Sequence, residues 1–464
     1  MYESCNYFPK LYKTFQLERN HLCFKINLYS FNMLYSSNKK GISLFKSFLL
    51  FLLTYCFVNC QQPTIKIDSV VKTDSLTQKF YAINHEPLYW LSSRKDAKRA
   101  TEWLTAIETA KESGIVSRKL MTSQIRTAML AKNIRDRVLK VNTDKQITSL
   151  VLYFIKELQE VNAHFEYDGL SSHLSDSVYI YQLMNSKDKG PVSKIVSELD
   201  CQDHDYQILK KFLKDSIKGT DSLKYKKVAM AMNYLRYLSV YKQSEYIVVN
   251  IPETEARYYQ KDQLTLKMKI VAGKKKNPTP TIASYVTDIV TFPYWNVPFS
   301  IASKELFPKV QKDESYLERN NFEVVDAKGN VVDDSDLNWD SYTEKNFPYF
   351  FRESTGPNNS LGVLKFNLQN PFNIYLHDTN LKGAFAKDYR FLSHGCIRLE
   401  KPIELADLLT RGNIDDWELK TGKKDTESKT IKLDRKVQVF IVYMPVTVDG
   451  QKVTFLEDIY DLVK

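Results

Sequence analysis

Leu264-Thr265-Leu266-Lys267-Met268-Lys269-Ile270 alternates apolar and polar side chains one by one, the period of a half-buried β-strand. Just before it, Tyr246-Ile247-Val248-Val249 is an apolar run rich in β-branched residues. Downstream, residues 285–290, Leu364-Lys365-Phe366-Asn367-Leu368, residues 373–376 and residues 437–443 are further strand candidates. Upstream the period is that of a helix. Ala100, Trp103, Leu104, Ile107 and Ala110 share one face and Gly114 follows near the helix end. Leu150, Leu152, Ile155 and Leu158 form a second stripe, and Leu209, Phe212, Leu213 and Ile217 a third. Val228, Ala231, Met232, Leu235 and Leu238 form a fourth; all four read as core packing. The period changes near Glu245, which predicts an α+β chain. Residues 61–84 read as a polar linker, 85–244 as a helical scaffold domain and 245–464 as a mostly β domain. Within the latter, residues 292–360 are rich in Pro, Asn, Asp, Gly and aromatics, and are expected to form a lid or substrate wall.

The chain has 464 residues, enough for two or three domains, and 43% hydrophobic content argues against wholesale disorder. Of the net charge of +11, the first 60 residues hold seven basic and two acidic side chains, so the remainder is near +6. That charge suits a surface meeting an anionic polymer, and neither zinc-finger spacing nor a long basic helix points to nucleic acid. His164, His173 and His204 are scattered, no two at ligand spacing, so no metal or cofactor is expected.

Residues 48–58 are the one membrane-like run, and eleven residues fall short of the about 20 that span a bilayer as a helix. Lys39, Lys40 and Lys46 precede the run, Cys60 closes it and Gln61-Gln62 follow, the pattern of a secretory signal, for which Met33 is the more usual start. Residues 1–60 are thus read as a signal and anchor region. Phe57-Val58-Asn59-Cys60 resembles a bacterial lipoprotein cleavage site with Cys60 lipidated, although Asn59 departs from the usual small residue; cleavage without lipid is the alternative. An exported protein of this kind keeps Cys201 and Cys396, which either pair as a disulfide or leave Cys396 free to react.

The reactive chemistry is concentrated in Ser393-His394-Gly395-Cys396-Ile397-Arg398, with His377 nineteen residues before the cysteine. A cysteine attacks as thiolate, and a free pKa of about 8.5 calls for a base within reach. Two histidines compete for that role. His394 is close in sequence but depends on a tight bend. His377 ends a strand in which Ile374 and Leu376 face the core, so that Tyr375 and His377 face a cleft. Gly395 suits a sharp bend, and the N–H groups around Gly395 and Cys396 are candidates to face an oxyanion. Arg398 offers a planar fork to a carboxylate or a carbonyl.

His377 followed by Ser393-His394-Gly395-Cys396-Ile397-Arg398 resembles the signature of the YkuD-type L,D-transpeptidases of bacterial cell walls. The resemblance extends to the large YcbB-like branch through residues 246–252, Pro293-Tyr294-Trp295-Asn296-Val297-Pro298, residues 356–362, residues 373–379 and residues 446–460. It covers about 200 residues, with a fainter likeness over 85–160. The peptidoglycan-binding module carried by several large relatives is not evident.

The resemblance implies a YkuD-like catalytic domain with Cys396 as acylated nucleophile and His377 as general base, oriented by the backbone carbonyl of Asp378. His394 and Gly395 would shape the oxyanion site, and Arg398 would stabilise the site or bind donor carboxylates. Ser393, Tyr375 and Trp295 would border the substrate, with core packing equally open for the last two. The implied reaction joins peptidoglycan stem peptides, donor and acceptor, by 3→3 cross-links with release of terminal D-Ala, in the periplasm. Alternatives are an L,D-carboxypeptidase or cysteine peptidase acting on wall peptides, and a non-catalytic wall-associated scaffold.

Overall fold

The computed structural model describes residues 74–464 apart from 116–117, 160–162, 171–173, 217–220, 344 and 424–425. The signal and lipidation readings at 1–60, with Cys60, fall outside the described residues, as do residues 61–73, His173 and Ile217.

The helical part begins earlier than its composition suggests. Ser75–Asn84 (α1) is a helix rather than linker, capped by Asp74, whose carboxylate accepts from the Thr77 N–H at 2.8 Å. Its Phe80 is fully buried, and polar Thr77, Gln78 and Lys79 had masked that apolar stripe. Arg94–Glu108 (α2) follows, with Ser93 as N-cap. Gly114 then ends a 3₁₀ turn at φ +68°. The long helix Arg137–Gln159 (α4), after Lys119–Leu130 (α3), presents Asp144 to the loop between α1 and α2. Its carboxylate accepts from the N–H groups of Tyr89, Trp90 and Leu91 at 2.7–2.9 Å and from the Tyr81 hydroxyl at 2.5 Å. Together with Asp176–Asn185 (α5) and Val192–Leu199 (α6), these helices bury one core built on Trp90, Trp103, Leu104, Ile147 and Phe154.

The last two helices, His204–Ser216 (α7) and Ser222–Tyr241 (α8), belong to a different core. Tyr206, Leu209, Val228, Met232 and Tyr237 pack with Val248 and Phe440 of the sheet and with Tyr443 just beyond its last strand. Between the two cores lies a buried polar cluster. Arg236 of α8 donates at 2.7 Å to the Ser113 carbonyl and to the Tyr206 hydroxyl. That hydroxyl donates to Asp200 at 2.6 Å, and Lys210 completes the pair with Asp200 at 2.6 Å.

The strands in chain order are Tyr167–Asp168 (β1), Glu245–Asn250 (β2), Glu255–Gln260 (β3), Gln263–Gly273 (β4) and Ile282–Thr291 (β5), then Trp295–Asn296 (β6), Phe322–Val325 (β7), Val331–Val332 (β8) and Phe350–Glu353 (β9). Leu364–Leu368 (β10), Tyr375–His377 (β11), Phe391–Ser393 (β12), Ile397–Leu399 (β13) and Lys429–Val442 (β14) complete the larger sheet. Its order is β1-β5-β10-β11-β13-β4-β3-β2-β14, and β14 pairs back onto β5, so the path from β5 to β14 closes into a ring. Closure satisfies the backbone groups that an open edge would leave to solvent. The alternation of β4 takes hold only beyond Leu266. Leu264 is half exposed, because a bulge at Tyr258/Tyr259 shifts the register of the opposing strand.

Residues 292–360 are not an irregular excursion. They form a second sheet, β6-β9-β7-β8, over a core of Val297, Phe307, Val310, Leu317, Val324, Trp339 and Phe351. Strands of two to four residues are too short to show a period in sequence. No helix among the described residues is long and apolar enough to cross a membrane.

Replacing Arg236 by Met keeps the volume but leaves the Ser113 carbonyl and Tyr206 hydroxyl short of a donor in a buried site. Urea unfolding of this variant is expected to show a loss of about 3 kcal/mol; an unchanged midpoint would refute the assigned role of the cluster.

Candidate active site

Three adjacent strands bring the reactive residues together through their register. Phe366 of β10 faces Leu376 of β11, which faces Ile397 of β13, and all three side chains are fully buried. Side chains alternate along a strand, so the neighbours of that apolar row project from the opposite face. Lys365 stands opposite His377, and His377 opposite Arg398. Tyr375 stands opposite Asn367 on the same face, and Cys396 precedes Ile397 by one alternation.

His377 is 5% exposed. Its Nδ1 lies 2.5 Å from the Asp378 carbonyl oxygen. A carbonyl only accepts, so Nδ1 carries the hydrogen and the Nε2 lone pair is left for proton uptake. Burial, with the positive charges of Arg398 and Lys365, pushes the imidazole pKa down to about 3 against the pull of the carbonyl. The ring is neutral at physiological pH, as a base must be. Asp378 is itself fixed: its carboxylate accepts from the Val363 N–H at 3.0 Å and pairs with Lys382. Gly362 makes room for it at φ +59°, where a Cβ would stand 2.2 Å from Asp378 Oδ2.

The Cys396 Sγ is 3.8 Å from the Asn373 carbonyl. Burial pushes the thiol pKa up, while the Tyr375 N–H, the Tyr375 hydroxyl and the Lys365 charge act in the opposite direction. Cys396 and Cys201 are both free thiols, and Cys201 is buried in the core shared by α7, α8 and the sheet. Arg398 makes no fork with a carboxylate: its Nε is buried without a partner, and burial lowers its pKa.

The turn before the cysteine is held by hydrogen bonds of its own residues. The Ser393 hydroxyl is buried and donates to the Cys396 carbonyl at 2.6 Å while accepting from the Gly395 N–H at 3.2 Å. It therefore shapes the bend, and the Gly395 N–H is engaged in that bond. Gly395 itself sits at φ +121°, with its carbonyl held by Thr279 Oγ1 at 2.8 Å. His394 turns away, with Nε2 at 2.8 Å from Glu305 of the 292–360 segment.

That segment meets the site at two points. Trp295 of β6 approaches Tyr375 and acts to lower the pKa of its hydroxyl against the rise that burial causes. Glu305 lies in a π turn, Ala302–Leu306, and its bond to His394 holds its carboxyl below the usual range. A cavity of about 450 Å³ opens there, lined among others by Trp295, Glu305, Tyr316, Glu353, Asn358 and Asn380. No cluster of His, Cys, Asp or Glu suited to a metal occurs among the described residues.

Sequence reading missed Lys365, Asn373 and Glu305. Only strand register sets Lys365 beside His377, although its polar position within an apolar alternation marked it as facing away from the core. Glu305 carried no signal, since its partner is 89 residues away.

The closed sheet thus brings together a free cysteine, a carbonyl-oriented histidine and a glycine bend. Residues 244–438 match the YkuD family, described as the L,D-transpeptidase catalytic domain, and this part of the chain is a mostly β, YkuD-like domain following a helical region. A curated protein of Haemophilus influenzae, assigned by inference as an L,D-transpeptidase, is 28% identical over 324 residues. The alignment spans 67% of this chain and 63% of that protein, so the chain spans less than two thirds of the relative's length. Among solved structures, the catalytic domain of the Enterococcus faecium L,D-transpeptidase acylated by ertapenem is 13% identical, covering 42% of this chain and 98% of that one at a TM-score of 0.20. An L,D-transpeptidase from Mycobacterium smegmatis is 14% identical, covering 42% and 58% at a TM-score of 0.21.

Two outcomes are expected from this geometry. Gly362→Ala forces the Asp378 side chain aside and strains a positive φ, so it should cost at least about 1 kcal/mol of stability in thermal unfolding; wild-type stability would show that the contact is not binding. Glu305, with its carboxyl held low by His394, stabilises above the ordinary glutamate pKa and loses that contribution as pH falls through the lowered value. Hydrogen exchange of residues 299–312 should therefore rise in acid, and Glu305→Gln should raise it already at pH 7.

Proposed function

We propose that the protein is a peptidoglycan L,D-transpeptidase that works through a Cys396 acyl-enzyme. The observation that carries this reading is His377, neutral and carbonyl-oriented, on the same sheet face as the Cys396 thiol. His377 Nε2 takes the thiol proton as sulfur attacks the carbonyl of the L-centre in a donor tetrapeptide stem. The scissile C–N bond breaks, a thioester forms, and the proton passes from the imidazolium to the departing D-Ala amine. A side-chain amine of a second stem then attacks the thioester. It gives its proton to His377, which returns it to sulfur as the 3→3 cross-link is released.

The Glu305–His394 bond ties the 292–360 segment to the turn that carries Cys396, which supports the lid reading of that segment. Water exclusion favours the acceptor amine over hydrolysis, and so favours cross-linking over L,D-carboxypeptidase action. The +6 balance of the region after residue 60 suits an anionic wall polymer. An enzyme with this substrate works on the outer side of the cytoplasmic membrane, and we place it in the periplasm with Cys60 as lipid anchor.

The test is incubation of the purified protein with tetrapeptide muropeptides, read by intact mass and by product chromatography. A mass increase on Cys396 with D-Ala release is expected, absent in Cys396→Ala and slowed at least about 100-fold in His377→Asn. Wild-type protein with a free thiol that forms no adduct and releases no D-Ala would sink the reading.

A further inference from the structure

The catalytic face carries two cations, Lys365 and Arg398, one on each side of His377. Their surroundings differ. Arg398 acts on the imidazole, where its charge is the larger of the two that depress His377. Lys365 acts on the thiol as well. Its Nζ sits 4.5 Å from the centre of the Tyr375 ring, and its charge acts together with the Tyr375 hydroxyl in favour of the Cys396 thiolate.

Lys365 is half-buried, where an ammonium ordinarily finds a carboxylate. Its nearest candidate is Asp288, on the neighbouring strand β5. That carboxylate is already engaged, accepting from Asn367 Nδ2 at 2.6 Å and from Thr287 Oγ1 at 2.7 Å. Lys365 forms no ion pair with it or with another acidic residue described. The groups around the thiol are then Tyr375 and His377 on β11, Lys365 on β10 and Arg398 on β13, with the His394–Glu305 pair at the 292–360 segment. Of these, Glu305 is the one acid, and His394 holds it.

We propose that Lys365 supplies the counter-charge of the Cys396 thiolate: an ammonium seated on the Tyr375 ring, with no carboxylate of its own, whose missing anion is the sulfur once the thiol proton has moved to His377. The proposal deepens the acyl-transfer reading, which makes Cys396 the nucleophile. It explains how a partly buried thiol ionises beside an imidazole that two cations discourage from charging. The proton leaves sulfur for His377 Nε2 and Lys365 stays protonated, so the positive charge nearest the sulfur is fixed before any substrate arrives. Burial lowers the Lys365 pKa and a thiolate beside it raises it again, the behaviour of a pair that charges together. Lys365 thus acts through the ionisation of Cys396, as a positioning residue for charge.

The test needs no peptidoglycan. Alkylation of Cys396 by iodoacetamide in the full chain is followed by mass spectrometry of the Cys396 peptide across pH 5–10, which separates it from the other five cysteines. Lys365→Met should move the midpoint up by about one pH unit, lowering the rate at pH 7 about tenfold, and Lys365→Arg should recover the rate to within about threefold of wild type, since it keeps the charge. A Lys365→Met profile that overlays wild type would overturn the proposal. So would a Lys365→Arg profile as impaired as Lys365→Met, since packing rather than charge would then be the cause. Because the readout is the thiol alone, failure of muropeptide acylation in wild-type protein leaves this result interpretable and strikes only the functional reading.

Discussion

The register of β10, β11 and β13 is the constraint on which the site depends. Phe366, Leu376 and Ile397 are locked into the apolar interior. That lock fixes which face receives Lys365, Tyr375, His377, Cys396 and Arg398. A slip of one residue in β11 would send His377 into the core and Leu376 to the cleft, at the combined cost of a buried imidazole without its carbonyl and an exposed leucine. The closed path from β5 to β14 removes the freedom to slip, since every strand in it is paired on both sides. The chemistry therefore needs no rigid loop beyond the bend at Gly395, which Ser393 and Thr279 brace from within.

Burial sets the electrostatic problem that the site has to solve. It raises the thiol pKa and lowers that of the imidazole, so each effect opposes a thiolate–imidazolium pair. Desolvation keeps His377 free to accept a proton, and the Tyr375 hydroxyl, the Tyr375 N–H and the Lys365 charge offset the cost of placing charge on sulfur. The 292–360 segment touches this balance, because Trp295 acts on the Tyr375 hydroxyl and Tyr375 on the Cys396 thiol.

Much of this was legible in the sequence, for identifiable reasons. The alternation Ile374-Tyr375-Leu376-His377 put His377 on the cleft face, and Gly395 announced a bend because a positive φ favours glycine. The α+β division followed from a change in period that core burial imposes on both halves. What stayed hidden depends on partners distant in sequence. Lys365 gains its meaning from register with His377, and Glu305 from His394. Ser393 looked available to a substrate because a hydroxyl's direction is set by the turn it braces. The inner fold of residues 292–360 escaped because its strands are shorter than one readable period, and α1 because its one deeply buried aromatic, Phe80, is flanked by polar residues.

The core shared by α7, α8 and the sheet has a consequence for how this molecule can be divided. The catalytic family match starts at residue 244, yet Tyr206, Leu209, Val228 and Met232 fill the same interior as Val248 and Tyr443. Arg236 carries the linkage further, to the Ser113 carbonyl among the earlier helices. A fragment beginning at the family boundary would expose the apolar flank of the sheet and start its life short of a wall. The unit that must fold as one body is thus larger than the stretch that carries the family match, and its last two helices are walls of the interior rather than an appendage beside it.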